Sequence, residues 1–265
     1  MLSTKQKESL GILFVIANKA RLVYLRWKYR GDKVYCACCE SKFRSFATFG
    51  NIRRKNAWCP KCESLERHRL LSMYFKNKTD IYRKHLKVLH IAPEGAFFNH
   101  LKKQKNLEYN PVDIYPHLYP KGTTYLDILN NDIADNTYDI IICNHVFQYI
   151  EDDRKAMKEL QRMMKKGGWG TMQVPYDRGR QVTYEDASIT HPLEREKAFG
   201  LKEHVRFYGL DYSDRLRDAG FDVNVEDYTS EFSDEENFKY GFWKGDPIFL
   251  VKKLNSLVAI FSIMQ

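Results

Sequence analysis

Cys36 and Cys39, then Cys59 and Cys62, form two Cys-x-x-Cys pairs with 19 residues between them. Each tight turn presents two thiolates, and two such turns joined by a hairpin suit a tetrahedral zinc ion. Phe43, Phe46 and Phe49 between the pairs supply a small core. Lys42, Arg44, Lys61 and the Arg53–Lys55 run balance the charge of a four-thiolate centre. Cys38 is an extra thiol, although Cys36 with Cys39 gives the usual geometry. Five of the six cysteines, all but Cys143, crowd into this stretch. They therefore read as a metal site in a reducing, cytoplasmic compartment and not as a disulfide framework.

A second set of chemical groups recurs at the ends of short apolar runs. Val88–Gly95 reads VLHIAPEG: a strand, a turn broken by Pro93 and Gly95, and the start of a helix. Such a corner aims backbone N–H groups at one point, where a ligand can dock. Asp113 ends the next strand, where a carboxylate can accept hydrogen bonds from ribose hydroxyls. Asp127 follows a further strand and can accept from an adenine amino group. Asn144 and His145 close the buried strand Tyr138–Asn144. Glu94 at the corner would repel a pyrophosphate but suits a cationic cofactor, which argues against a nicotinamide dinucleotide.

The elements that carry these residues alternate. Strands are expected at Val88–Ile91, Tyr109–Asp113, Thr124–Leu129, Tyr138–Asn144, Trp169–Val174, Phe221–Tyr228 and Pro247–Lys252. Helices are expected near Ala96–Lys103, over Asp152–Met164, ended by Lys166-Gly167-Gly168, and over Asp211–Ala219. Ser64 is expected to cap a helix running to about Phe75. The run Arg178–Arg206 reads as irregular and polar. This alternation implies an α/β class with a doubly wound, mainly parallel sheet, whose ligands bind outside the C-terminal strand ends. The expected domains are a basic helix (1–32), a zinc-ribbon module with its connecting helix (33–78), the sheet domain (80–253) and an apolar tail (254–265).

The net charge of +9 is unevenly placed. Residues 1–87 hold 21 Lys and Arg against 6 Asp and Glu, whereas the remainder holds 22 against 28. A basic first third suits nucleic acid, an anionic membrane, or a solvated surface. Apolar and basic side chains are interspersed through residues 5–30, so that helix is read as docking on the domain or a partner, or as touching a membrane peripherally. Leu10–Ala17 and Leu254–Met264 are apolar but too short to span a bilayer.

The succession VLHIAPEG, NPVDIYP, YLDIL and YDIIICNHVFQYIEDDRKAMKELQRMMKKGGWGTMQVP resembles the class I S-adenosylmethionine-dependent methyltransferases. It is similar to a type 11-like sub-group in which a CxxC pair and SLERHR precede the domain. In that sub-group TYED, an FG pair and HVRxYG follow, here Thr183–Asp186, Phe199-Gly200 and His204–Gly209. The resemblance implies a seven-stranded Rossmann-like methyltransferase sheet behind the zinc ribbon, with S-adenosylmethionine over Ala92, Pro93, Glu94 and Gly95. It further implies that Asp113 and Ile114 flank the ribose, that Asp127 and Ile128 flank the adenine, and that Asn144, His145 and Val146 lie beneath the methionine part. The chain departs from the class at the turn, where His90 holds the usual acidic position and Ala92-Pro93-Glu94 replace glycines. It departs again at Phe147-Gln148-Tyr149, where the class often has Leu-Glu-His.

Methyl transfer is an in-line displacement that needs mostly proximity and orientation. A hydroxyl acceptor also needs a general base, for which His145, His204 and Glu185 are the candidates. Arg67, His68, Tyr149, Tyr184, Arg195, Arg206 and Tyr208 are the expected acceptor-binding residues. The acceptor expected is a small molecule, a saccharide or an envelope-precursor group. RNA gripped by the basic ribbon, and a non-catalytic interaction protein, are the competing readings.

Overall fold

The computed structural model describes residues 17–255 except 19 and 51. Almost all of the two apolar terminal stretches lies outside these residues. Contacts divide the chain into two compact units: residues to 78 with 95–97 and 228–246, and residues 79–94, 98–227 and from 247 onward. No helix among the described residues is long and apolar enough to cross a membrane.

In the first unit, helix α1 covers 20–28. Two antiparallel pairs follow: β1 (Val34–Cys36) with β2 (Ser41–Phe43), and β3 (Ala47–Phe49) with β4 (Arg54–Trp58). Val34, Cys36, Phe43, Phe46 and Cys59 form one small buried cluster, and Ala47, Trp58 and Leu65 another. Helix α2 runs Glu66–Lys78, a turn longer than expected. Its start also differs from expectation. The Leu65 N–H donates to His68 Nδ1 at 3.0 Å, so a histidine three residues on performs the backward half of a capping box. Ser64 does not cap; its hydroxyl lies 3.2 Å from the sulfurs of both Cys36 and Cys62.

Arg69 on α2 is fully buried and holds this unit together. Its guanidinium donates to the carbonyls of Tyr240 (2.9 Å), Ala57 (2.9 Å), Ser64 (2.9 Å) and Gly241 (2.6 Å), and stacks 4.0 Å from the Phe46 ring. Gly241 ends a later helix of the unit (Asp234–Tyr240) at φ +61°, and a Cβ there would meet the Phe46 ring at 2.6 Å and Arg69 Nη2 at 2.7 Å. Only glycine fits both demands.

The second unit is the sheet. Its elements, in chain order, are β5 (Leu86–Ile91), α3 (Gly95–Leu101, whose first turn belongs to the first unit), β6 (Leu107–Asp113), β7 (Thr124–Tyr125), β8 (Tyr138–Cys143), α4 (Asp153–Met163) and β9 (Met164–Thr171). They continue with β10 (Tyr184–Glu185), α5 (Pro192–Phe199), β11 (Arg206–Phe207), α6 (Tyr212–Asp218), β12 (Asp222–Glu226) and β13 (Ile248–Lys252). The helix Asp234–Tyr240 between the last two is α7.

The seven strands lie in the order β12-β13-β9-β8-β5-β6-β7. From β9 to β7 every neighbour pair is parallel, and β13 runs antiparallel to both β9 and β12. The chain leaves β5 toward β6 and β7, then returns to β8 on the other side. That reversal makes a switch point between β5 and β8, where open α/β sheets bind ligands. β5 and β8 are buried on both faces, as parallel central strands must be. Ala156, Met157, Leu160 and Met163 on α4 close one side of the core.

Two expectations are corrected. The Thr124–Leu129 strand is only two residues long, because Asp127 turns the chain by accepting from the Leu129 N–H at 2.8 Å. The run Arg178–Arg206 is not irregular throughout. It contains α5, started by Pro192, capped by the His191 side chain and closed by Gly200 at φ +91°.

Replacing Arg69 by Met should destabilise the first unit by about 3 kcal/mol or more, since each buried carbonyl left without a donor costs about 1 to 3 kcal/mol. Arg69→Lys should recover only part of this, since an ammonium has no planar fork. Thermal unfolding followed by circular dichroism would read both changes.

Candidate active site and metal centre

β5 and β8 end on unusual backbone. Ala92 has φ +50° and His145 φ +57°, both in the left-handed region that non-glycine residues rarely adopt. The Ala92 N–H donates to the Val112 carbonyl at 2.9 Å, and the His145 N–H to the Gln173 carbonyl at 2.6 Å, so neighbouring strands impose the two conformations. The turn thus keeps a glycine-like path although its glycines are absent.

A cavity of about 620 Å³ opens at these ends. Ile91 and Ala92 from β5, Asp113 and Ile114 from β6, Asp127 and Ile128 after β7, and His145 and Val146 after β8 all line it. Seven of these eight, all but Ile91, were proposed from sequence, and they meet at one place. Pro93, Glu94, Gly95 and Asn144 are not in the wall. Asn144 is buried and accepts from the Gln173 N–H at 3.1 Å, tying β8 to the chain after β9. His90 is buried with its Nδ1 2.8 Å from the Tyr109 hydroxyl.

Asp113 accepts from the Tyr115 N–H at 2.7 Å and from the Tyr119 hydroxyl. Burial raises the Asp113 carboxyl above its ordinary value, and these two donors oppose the rise. Tyr119 is pushed up to about 12, by burial first and then by the adjacent Asp113 charge. Leu126, Leu129 and Ile150 also line the wall, as do Tyr115, Leu118, Tyr119, Glu151 and Glu203, and all eight were missed in the sequence. The signal was the aromatic spacing directly after Asp113, Tyr115 and Tyr119. Among the described residues no lysine or arginine lines the cavity.

Tyr149 lines the cavity from the 3-10 turn Phe147–Tyr149. Behind it stands His204, edge-on at 4.9 Å between ring centres. His204 is buried and outside the wall. Its Nδ1 is 3.0 Å from the Phe199 carbonyl, which assigns the proton to Nδ1 and leaves Nε2 as a buried acceptor with no hydrogen-bond partner. Burial lowers its pKa, so the ring is neutral.

Three other sequence candidates sit in an ion cluster away from the cavity, in which Arg206 and Tyr208 are buried and Glu185 is exposed. Arg206 donates to the carbonyls of Phe147 (2.9 Å), Ile150 and Glu151 (2.7 Å), and to Glu185 at 2.9 Å. Arg215 reaches Glu185 at 2.8 Å and Asp153 at 3.2 Å, and Tyr208 donates to Asp153 at 2.7 Å. Arg206 therefore positions the wall segment 147–151, and Tyr208 holds Asp153 behind it; neither is in the cavity wall. Glu185 cannot serve as a general base, because Arg215 and then Arg206 hold its carboxyl down at about 2. Arg195 pairs with Glu151 at 3.1 Å, and Tyr184 packs against Phe199, both outside the wall. His68 is the buried helix cap described above, and Arg67 lies beside it on α2, both in the first unit.

The sulfurs of Cys36, Cys39, Cys59 and Cys62 lie within 4.8 Å of one another. Cys36 to Cys62 is 3.6 Å and Cys39 to Cys59 is 3.7 Å. Zinc–sulfur bonds of about 2.3 Å give a tetrahedron with edges of about 3.8 Å, so the four ligands fit structural zinc. Cys38 is not one of the four. The Ser64 hydroxyl is placed to donate to the thiolates, a supporting hydrogen bond of the usual kind.

Residues 92–172 match a protein family described as a methyltransferase domain. The match covers under a third of the chain. It spans the chain from the β5 corner to the end of β9, and so includes most of the cavity wall. Several solved structures are similar to the chain. The YcgJ protein of Bacillus subtilis is 16% identical over 71% of this chain and 100% of its own, with a TM-score of 0.45. The Haemonchus contortus phosphoethanolamine N-methyltransferase 2 bound to S-adenosyl-L-methionine is 14% identical over 71% of this chain and 53% of its own, at 0.46. An S-adenosylmethionine-dependent methyltransferase of Mesorhizobium loti is 14% identical over 63% and 89%, at 0.42. The curated proteins give no match.

Purified protein should carry about one zinc per chain, and chelation should unfold the first unit, because binding at such centres supplies the folding free energy. Elemental analysis and circular dichroism would check this. At the ion cluster the sign is set by a lowered carboxyl pKa. The stabilisation from Glu185 is present above the ordinary carboxylate range and lost as pH falls through about 2. Glu185→Gln should therefore lower the denaturation midpoint at pH 7 and leave it unchanged near pH 2.

Proposed function

We propose that the chain transfers the methyl group of S-adenosylmethionine to a small-molecule acceptor, which includes a saccharide or an envelope-precursor group, held at the cavity of the methyltransferase domain. The observation that carries this reading is the composition of the wall. It offers Asp113 and Asp127 on successive strand ends, a largely apolar floor and no lysine or arginine. A cofactor bearing a sulfonium and an ammonium is compatible with such a wall. An RNA acceptor would meet no cation there to hold its phosphates.

In this reading Asp113 accepts from the ribose hydroxyls in place of the Tyr119 hydroxyl, and Asp127 with Ile128 bounds the adenine. Ala92, His145 and Val146 floor the methionine part. The cofactor supplies the methyl group; the chain supplies orientation and exclusion of water. Where the acceptor is a hydroxyl, His145 is the base in the wall. His204, neutral and with a bare Nε2, orients Tyr149 from behind.

Calorimetric titration with S-adenosylhomocysteine tests the reading. Binding is expected in the micromolar range, and Asp113→Ala should weaken it by about tenfold to a hundredfold, the loss of one or two hydrogen bonds to a charged acceptor. Because burial raises the Asp113 pKa, affinity should decline on acidification earlier than a free aspartate would allow, and Asp113→Asn should abolish that decline. Absence of binding at millimolar ligand sinks the proposal. The RNA reading draws on the basic first third; a steep salt dependence of binding to bulk RNA would favour it instead.

A further inference from the structure

Helix α1 has two apolar faces, and the fold uses one. Leu22, Leu25 and Tyr29 pack against the Ala47–Trp58–Leu65 cluster. At 100° per residue these three fall within about 60° of one another on the helix circumference. Val23, Tyr24 and Trp27 fall on the opposite side, and they are 63%, 54% and 72% exposed. Ala20 lies in the middle of that second face and is exposed as well. The Tyr24 and Trp27 rings touch one another, 6.1 Å between centres.

The charges divide the two faces. Arg21 and Lys28 lie on one flank of the exposed stripe and Arg26 and Arg30 on the other, all four exposed, although Arg21 also reaches back over the Trp58 ring at 5.0 Å and Arg26 to the Lys61 carbonyl at 3.4 Å. No acidic residue occurs between Ala20 and Arg30. The sequence just ahead of the helix, residues 10–17, reads LGILFVIA, apolar without a charge.

We propose that this face of α1 seats the protein on an anionic lipid surface. An aromatic and aliphatic stripe rimmed on both sides by cations is the composition that enters a headgroup layer: the rings and Val23 reach the acyl boundary while the flanking groups meet lipid phosphates. A second copy of the chain fits less well, since pairing the stripes sets each cationic flank against another. RNA would use the rings and the cations but has no use for Val23 and Ala20. The proposal concerns the first unit alone and stands independently of the chemistry assigned to the cavity.

The test is co-sedimentation of the full chain with phosphatidylcholine vesicles and with vesicles containing about a third phosphatidylglycerol. Pelleting is expected with the anionic vesicles and little with the neutral ones. Tyr24→Ala with Trp27→Ala should weaken partition about tenfold or more, and Lys28→Glu with Arg30→Glu by a similar factor, with unchanged far-ultraviolet circular dichroism. These side chains are exposed, so both variants should fold. No pelleting with anionic vesicles at 0.1 M salt overturns the proposal. So does pelleting that both variants retain, and so does a mobility shift with RNA in the absence of vesicle binding.

Discussion

A buried guanidinium that donates to main-chain carbonyls is the interaction on which each unit depends. Arg69 gathers carbonyls from the end of β4, the turn before α2 and the end of α7. Arg206 gathers them from the segment 147–151. Carbonyl oxygens in irregular backbone have no ladder to satisfy them, and burying them unpaired is costly. One arginine can serve several at once through five donors fixed in a plane, which a lysine cannot. The consequence for function is indirect but specific. The segment that Arg206 fixes carries Tyr149, Ile150 and Glu151 into the cavity wall. The ion cluster of Arg206, Arg215, Asp153 and Glu185 therefore shapes the site from behind without placing any charge of its own in it.

This explains which parts of the molecule were legible in the sequence. The succession of strands along the chain and the residues at their ends could be read because apolar runs followed by Asp113, Asp127 and Asn144-His145 carry their own punctuation. The four zinc ligands could be read because spacing alone decides their geometry. The arginine and the tyrosine of HVRFYG and the histidine of SLERHR could not. A cation in a polar stretch has the same sequence signature whether it meets a ligand or a cluster of carbonyls from distant segments. Which occurs depends on tertiary placement that no local pattern encodes. Glu185 failed for the same reason: nothing near it in sequence announces Arg206 and Arg215. Tyr119 and Glu203 were missed because they belong to connecting loops, whose positions follow from the sheet they span.

The glycine-poor corner after β5 is a more instructive case. Read as sequence, Ala92 in place of glycine suggests a damaged ligand site. In the structure Ala92 keeps a left-handed conformation, at a cost of about 1 to 2 kcal/mol for a residue with a Cβ. His145 on the adjacent strand does the same. Strain of this kind persists only where the surroundings over-determine it, and it clusters at functional sites. Here the two strained residues flank the topological switch point and both line the cavity. The glycine was replaced, but the backbone path it served was retained.

Charge makes the final distinction. The chain is basic overall, yet the cavity wall contains carboxylates and no lysine or arginine. Had the excess charge evolved to present an anionic polymer to the reacting centre, cations should line the route of its phosphates into the site. They are found instead where local needs account for them. A zinc ion with four thiolates carries two net negative charges, and Arg69, whose buried guanidinium donates to main-chain carbonyls, sits where its own charge offsets them: it donates to the carbonyl of Ser64, whose hydroxyl meets two of the sulfurs. Arg21, Arg26, Lys28 and Arg30 flank an exposed apolar stripe. The basic character of the first unit is thus a matter of metal and surface, and the cavity proposed for methyl transfer has electrostatics that suit a cationic cofactor.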